Sequence, residues 1–235
     1  MTGAPDELTV VIPVRDQAEF VADALASVLD QAGGPPNIVV IDDGSTDASG
    51  DVARRVAPTA AVLRTSGLGP AAARNLGVDS TATPFIAFCD ADDLWPRERC
   101  RRDLALLASH PEAPAVLGRA RFQAESPALL AHYNFASNEP VGQLWSLCGL
   151  TVRRQAWDKV GPLDPSLTAF EDHDWFLRAN EAGVRPLLSD AVSFTCRVRP
   201  ESSTSAPMAS AGIRERWMVL RRAAARRRLT PPAPS

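Results

Sequence analysis

Charged residues cluster where three short apolar runs of the sequence end, at 15–16, 42–43 and 90–93. In a doubly wound sheet, ligands bind beyond the carboxyl ends of the strands, so these side chains would meet at one edge. Asp90 and Asp92 repel each other there unless a cation lies between them. Carboxylates at this spacing suit a hard divalent ion that also binds phosphate, as Mg²⁺ and Mn²⁺ do. The clusters predict a metal and phosphate site, with helix capping as the alternative for each single residue.

A further acidic group opens a helical pattern at Glu171. Asp172 precedes Trp175 and Phe176 by three and four positions, which predicts that its side chain lies on the inward face of the helix. An inward carboxylate is a candidate general base. The alternative is that Glu171, Asp172 and Asp174 only complement the positive end of the helix dipole.

The elements that must position these side chains alternate along the first 120 residues. Short β-branched runs are followed by stretches of helical periodicity, the pattern of βαβ units in a largely parallel sheet. Apolar helical faces extend over 20–29 and 171–182. The predicted strands are 8–14, 38–41, 61–64, 85–88, 115–122, 147–153 and 191–198. We therefore predict an α/β fold with a Rossmann-like, mostly parallel sheet and helices on both faces.

Length and composition indicate one domain with a basic extension. A chain of 235 residues with 45% hydrophobic content can bury one sizeable core. We predict a domain over 1–205, and a linker with an Arg-rich C-terminal tail over 206–235. The tail is predicted to be a solvated helix or, alternatively, an amphipathic helix that contacts an anionic membrane or an acidic acceptor. Truncation after Ala211 is expected to leave activity intact.

Charge and apolar patterning exclude several classes of protein. A net charge of −3 argues against a general nucleic-acid-binding protein. No run reaches the roughly 18 apolar residues of a membrane span, and the N-terminal residues do not resemble a secretory leader, so we expect a cytoplasmic protein. The four cysteines form no C-x-x-C pair and have no His at ligand spacing. They predict buried free thiols rather than a zinc site or disulfides.

Five motifs, in this order along the chain, resemble those of glycosyltransferase family 2. They lie at 10–16, 40–47, 72–77, 88–93 and 171–175. The resemblance covers about residues 8–203. It implies the GT-A fold and an inverting transfer from a nucleotide-sugar donor with Mg²⁺ or Mn²⁺.

The same resemblance implies roles for individual residues. Asp43 would hold the nucleotide base, Asp90 the ribose and Asp92 the metal, while Asp172 would be the catalytic base. The predicted donor-binding residues are Pro13, Arg15, Asp16, Asp43, Arg74, Asp90, Ala91 and Arg199. The predicted metal ligands are Asp90 and Asp92, and the predicted catalytic residues are Asp172 and Glu171. A base on one face of the sugar and a metal on the departing diphosphate give inversion without a covalent intermediate.

Two positions depart from the usual pattern of this family. Arg15 stands where an aromatic residue commonly stacks on the base, and its guanidinium plane can stack there or contact phosphate. Arg199 stands where a His often adds a metal ligand. Two ways of stabilising the leaving diphosphate follow: a metal with Arg199 as an auxiliary donor, which we favour, or Arg199 alone.

Two other functions and several substrates stay open. Residues 67–72 match the dinucleotide-binding pattern G-x-G-x-x-A, which would suit an NAD(P)-dependent oxidoreductase, but they follow the third strand rather than the first. A catalytically silent sugar-nucleotide-binding or scaffold protein is the other alternative. The acceptor is not specified by the sequence and is a glycan, lipid, peptide or natural product. The base and sugar of the donor are open in the same way.

Overall fold

The computed structural model describes residues 5–130, 139–199 and 218–226. Its strands are β1 (Leu8–Val14), β2 (Asn37–Asp42), β3 (Ala61–Arg64), β4 (Phe85–Phe88), β5 (Ala115–Ala124), β6 (Val141–Gly142), β7 (Leu150–Arg153) and β8 (Leu187–Val198). Its helices are α1 (Val21–Leu29), α2 (Ser49–Val56), α3 (Pro70–Asp79), α4 (Arg99–Ser109), α5 (Arg154–Val160), α6 (Glu171–Glu181) and α7 (218–226). Short 3-10 turns cover Pro5–Glu7, Pro127–Leu130 and Leu147–Gly149.

The described strands form a single sheet in the order β3-β2-β1-β4-β7-β5-β6, with β8 beside β5. β1 pairs in parallel with β2 and β4, and β2 pairs in parallel with β3. β7 runs antiparallel between β4 and β5, whereas β8 is parallel to β5. The sheet is therefore mostly parallel, and its parallel half carries the first acidic clusters at one edge.

Helices cover both faces of the sheet, and β1 directs alternate side chains toward each face. Val10 and Ile12 lie in a core formed with α1, α2 and α4. Val11 lies in a second core with Phe88 and Trp157, formed with α3, α5 and α6. Burial on both faces explains why β1 and β4 read as nearly continuous apolar runs. The predicted α/β fold with helices on both faces is confirmed.

Element boundaries agree with prediction more closely in the first half of the chain than in the second. β1, β3 and β4 begin and end at the predicted residues, whereas β7 begins at Leu150 after a 3-10 turn and β8 begins earlier than predicted, at Leu187. The sequence pattern does not predict α4 and α5. In α4, the fully buried Arg99 interrupts the apolar pattern, and it donates to the backbone oxygens of Cys148 and Leu150.

Helix α7, within the predicted tail, packs against the rest of the fold. Val219 is buried, and Arg226 Nη2 lies 3.6 Å from Asp174 Oδ1 on α6. The remaining parts of the tail, 206–217 and 227–235, lie outside the described residues. No helix in the described part of the chain is long and apolar enough to cross a bilayer.

Candidate active site

The carboxyl ends of β1, β2 and β4 border a cavity of about 220 Å³, here called the strand-end cavity. Parallel pairing places these ends at the same edge of the sheet, where the loops after the strands are free to bind ligands. The predicted residues that line the cavity are Pro13, Arg15, Asp43, Arg74, Asp90, Ala91 and Asp92. Gln17 also lines it, although no sequence pattern singled it out.

Asp43 holds the glycine-rich loop that follows β3. Its Oδ1 accepts hydrogen bonds from Thr65 Oγ1 at 2.5 Å and Leu68 N at 2.6 Å, and its Oδ2 accepts one from Gly69 N at 2.8 Å. Burial alone would raise the pKa of Asp43, but the three hydrogen bonds outweigh it and lower the pKa. Two amides of 67–72 that a dinucleotide pyrophosphate would use are thus engaged, which disfavours the oxidoreductase alternative.

Asp16 and Arg199 line a neighbouring cavity of about 490 Å³ rather than the strand-end cavity. Asp16 Oδ1 accepts hydrogen bonds from the backbone N of Thr46 at 2.7 Å and from its Oγ1 at 3.0 Å. These bonds, the backbone one first, lower the pKa of Asp16. Asp16 therefore anchors the loop after β2. Gln17 lines both cavities, so the two adjoin.

Arg74 connects the strand-end cavity to the beginning of α6. Its buried guanidinium donates from Nη1 to Glu171 Oε1 at 2.7 Å and from Nη2 to Asp90 Oδ1 at 2.6 Å. Burial opposes the charge of Arg74, but Asp90 and Glu171 outweigh it and raise the pKa. Burial also raises the pKa of Glu171, against the attraction of Arg74. Glu171, a predicted catalytic residue, thus lies in a buried ion pair that positions the helix.

Asp172 lies at the margin of the buried face of α6, and its side chain is 24% exposed. The prediction that it faces inward is therefore only partly right. Successive helical residues are about 100° apart, so Glu171, Asp174 and Trp175 occupy the buried face instead. Asp172 Oδ1 accepts a hydrogen bond from His173 N at 2.7 Å and lies 2.8 Å from His173 Nδ1. This partial exposure leaves the carboxylate accessible to a substrate.

Burial and like charge act on the acidic cluster after β4. Asp92 Oδ2 accepts a hydrogen bond from Arg199 Nη2 at 2.5 Å. Burial and then the charge of Asp90 raise the pKa of Asp92 in spite of this bond. Burial, followed by Asp90 and Asp92, raises the pKa of Asp93 well above its usual value. A divalent cation at the cluster would relieve this repulsion.

The ligand atoms at this cluster fit a hard cation. One ligand atom each from Asp90, Asp93 and Cys148 lies within 4.8 Å of the others. Asp90 and Asp93 supply the carboxylate oxygens that suit a hard divalent ion, whereas Cys148 is a soft ligand, and burial raises the pKa of its thiol well above the usual value. The predicted ligand Asp92 is not part of this group of atoms, and its Oδ2 pairs with Arg199. All four cysteines are buried and free, as predicted, but no spacing predicted that one would adjoin the acidic cluster.

Arg199 also packs on an aromatic ring that the sequence did not identify as part of the site. Its Cζ lies 4.0 Å from the ring centroid of Phe20, a cation–π geometry. In the sequence, Phe20 is part of an apolar helical pattern. Its contact with Arg199 could not be predicted from that pattern, because the two residues are far apart along the chain.

Comparisons with known proteins identify the family of the chain. The sequence model described as Glycosyl transferase family 2 matches residues 9–169. Succinoglycan biosynthesis protein ExoU of Rhizobium meliloti is 29% identical over 225 residues, which cover 85% of this chain and 64% of ExoU. The chain thus spans somewhat less than two thirds of that relative.

Solved structures of glycosyltransferases share the fold. Residues 1–349 of S. aureus TarS in complex with UDP-GlcNAc align with a TM-score of 0.74 and 19% identity, over 93% of this chain and 65% of that one. The mannosyltransferase PcManGT from Pyrobaculum calidifontis, in complex with GDP-Man and Mn²⁺, aligns with a TM-score of 0.65 and 20% identity, over 97% and 66%. At these identities the likeness establishes the GT-A fold.

Proposed function

The chain belongs to glycosyl transferase family 2, and we propose that it transfers a glycosyl group from a nucleoside diphosphate sugar to an acceptor oxygen with inversion. The observation that carries the proposal is the connection made by Arg74. This residue ties Asp90 in the strand-end cavity to Glu171, the neighbour of Asp172. A donor site and a candidate base are therefore held in one rigid arrangement.

The donor would lie in the strand-end cavity with its base toward Asp43 and its ribose toward Asp90. Arg15 lies beside Asp43 in the lining and is available to stack on the base or contact phosphate. TarS and PcManGT carry UDP-GlcNAc and GDP-Man in their complexes, which supports a nucleoside diphosphate sugar as the donor class. The hydrogen bonds around Asp43 preorganise this side of the cavity before a donor binds.

A divalent cation would be held by Asp90 and Asp92, with Asp93 close by. When bound, such an ion neutralises the charge that develops on the leaving diphosphate. The Mn²⁺ in the PcManGT complex supports this cofactor class. Arg199, which pairs with Asp92, would then donate a charge-assisted hydrogen bond to the diphosphate as an auxiliary to the ion.

Asp172 would act as the general base. Its carboxylate accepts the proton of the acceptor hydroxyl while that oxygen attacks the anomeric carbon, and the bond to the diphosphate breaks on the opposite face. The attack and departure on opposite faces invert the anomeric centre. His173, in contact with Asp172 Oδ1, orients the carboxylate.

The test combines donor binding with turnover. A thermal-shift screen of UDP-, GDP- and TDP-sugars with Mn²⁺ identifies the donor, because a ligand of the native state raises the melting temperature. Asp172→Asn is then expected to keep the donor shift and to lose about a hundredfold or more of transfer, as for removal of a general base.

The matched control is Asp158→Asn, which changes an exposed carboxylate on α5 and should retain full transfer. Near-native transfer by Asp172→Asn would overturn the base assignment. Donor binding by the native protein without transfer or donor hydrolysis would instead favour the silent sugar-nucleotide-binding protein.

A further inference from the structure

A cavity of about 530 Å³ lies beside α6 and is here called the α6 cavity. Its apolar lining includes Trp145, Phe176, Leu177 and Leu220, and His173 is among its few polar residues. The volume falls in the range of about 300–1,000 Å³ that is usual for small-molecule sites. The size and the apolar lining suit an organic ligand rather than an ion.

Two of these apolar side chains are unusually exposed. Trp145 is 44% exposed and Leu220 is 45% exposed. The Trp145 ring meets the Phe176 ring edge-on, with centroids 5.3 Å apart, which holds the indole at the rim of the cavity. Large apolar side chains left open around a concave site mark a place where apolar ligand surface is removed from water.

The neighbours of the candidate base along the chain reach both cavities, although Asp172 itself lines neither. Glu171 is bound to Arg74, which lines the strand-end cavity. His173 lines the α6 cavity, and its Nδ1 lies 2.8 Å from Asp172 Oδ1. Three successive residues thus connect one cavity to the other, with Asp172 in the middle.

We propose that the α6 cavity binds an apolar alkyl or aryl group of the acceptor, adjacent to the hydroxyl that Asp172 deprotonates. This inference rests on the proposed function and extends it to the acceptor class. The lining offers hydrogen-bonding side chains at Gln143, His173 and Asn180, but most of its surface is carbon, so an apolar group gains more there than a purely polar glycan does. An acceptor with an apolar group gains affinity from that surface and leaves its hydroxyl near His173.

Three glucosides that differ only in the aglycone test the proposal by calorimetric titration of the full chain. Octyl and 4-nitrophenyl β-D-glucopyranoside supply the alkyl and aryl groups, and methyl β-D-glucopyranoside is the polar reference. At least one of the first two is expected to bind roughly tenfold tighter than the methyl glucoside, because it buries more apolar area. Which one binds more tightly distinguishes an alkyl from an aryl acceptor. Equal affinities for all three would overturn the proposal.

Two exposed leucines provide a matched pair of variants. Leu220→Gln changes the lining of the α6 cavity, whereas Leu188→Gln changes a residue on β8 that is 54% exposed and does not line it. Leu220→Gln should weaken the tighter glucoside by roughly fivefold or more, and Leu188→Gln should leave its affinity unchanged. Equal effects of both substitutions would contradict the assignment of the cavity.

Donor measurements on the same samples separate this inference from the proposed function. Leu220→Gln should keep the donor thermal shift of the native chain, since it lies outside the strand-end cavity. With donor present, the tighter glucoside should be glycosylated or should suppress donor hydrolysis, because it replaces water beside Asp172. Binding of the glucoside with unchanged donor hydrolysis would overturn the acceptor role. Absence of any donor shift in the native chain would overturn the proposed function instead.

Discussion

The strand-end cavity and the α6 cavity, which residues 171–173 connect, are built differently. The lining of the strand-end cavity includes five charged side chains, and hydrogen bonds or ion pairs already hold several of them in place, as Arg74 holds Asp90. The α6 cavity is lined mainly by apolar side chains, and Trp145 and Leu220 at its rim remain exposed. Fixed charges suit a ligand of constant chemistry such as a diphosphate, whereas apolar contacts tolerate ligands of varied shape.

Different parts of the fold form the two cavities. Four strands that pair in parallel bring the strand-end residues to one edge, and short loops keep them there. The α6 cavity instead depends on α6, on residues 143–145 and on α7. Substitutions should therefore affect stability and chemistry in the first cavity and ligand affinity in the second.

Replacing Arg74, which joins Asp90 in the strand-end cavity to Glu171 on α6, should have the largest effect. Arg74→Met leaves Glu171 buried without its partner and is expected to reduce the free energy of unfolding by about 3 kcal/mol. Arg97→Met is the control, because the Arg97–Asp30 pair at 3.2 Å is exposed on both sides and should contribute less than about 1 kcal/mol. Denaturant unfolding measures both, and equal losses would show that burial of the Arg74 pair does not matter.

Metal removal should have an effect of nearly the same size, but on the rate of transfer rather than on stability. Chelation is expected to reduce transfer by about a hundredfold, equivalent to about 2.7 kcal/mol, and Mn²⁺ or Mg²⁺ should restore it. Arg199→Ala should weaken transfer without changing which metal restores it, because Arg cannot ligate a cation. Full activity of a sample shown by elemental analysis to be metal-free would make Arg199 the principal group on the diphosphate.

Truncation after Ala211 should affect ligand binding in the two cavities differently. The loss of α7 removes the buried Val219, which is expected to cost about 2 kcal/mol, or about 5 °C of melting temperature. Donor binding should persist, whereas binding of the apolar glucoside should weaken because Leu220 is lost. Truncation after Arg226 is the control and should change neither. Full affinity for the glucoside without α7 would remove this helix from the cavity.

The smallest expected effect concerns the loop held by Asp43. Asp43→Asn should reduce the free energy of unfolding by about 1–2 kcal/mol at pH 7, through weaker hydrogen bonds to the loop. Because the pKa of Asp43 is lowered in the folded state, its stabilisation is present above the usual value of 3.8 and is lost as the pH falls through the lowered pKa. The difference in free energy of unfolding between the native protein and Asp43→Asn should therefore become smaller as the pH falls. Asp51→Asn, which changes an exposed carboxylate, should alter the free energy of unfolding by less than about 0.5 kcal/mol at pH 7.

The local sequence pattern was sufficient to predict many of the residues that line the strand-end cavity. β1, β3 and β4 are identifiable because apolar residues run together between polar turns, and Asp43, Asp90 and Asp92 follow strands whose ends must coincide in a parallel sheet. Residues at strand ends are therefore predictable without knowledge of the packing. The roles assigned to them as donor and metal ligands stay predictions.

Tertiary packing determined the contacts that the periodicity of the sequence did not predict. Cys148 reaches the acidic cluster, Phe20 lies under Arg199, and α7 packs on α6, each through contacts between distant positions of the chain. Helical spacing placed Asp172 on the inward face, yet the helix begins at Glu171 and its rotation leaves Asp172 at the margin. Sequence specifies which residues can share a strand end or a helix face. Only the packed fold decides which faces meet, because that choice depends on the burial of side chains from the whole chain at once.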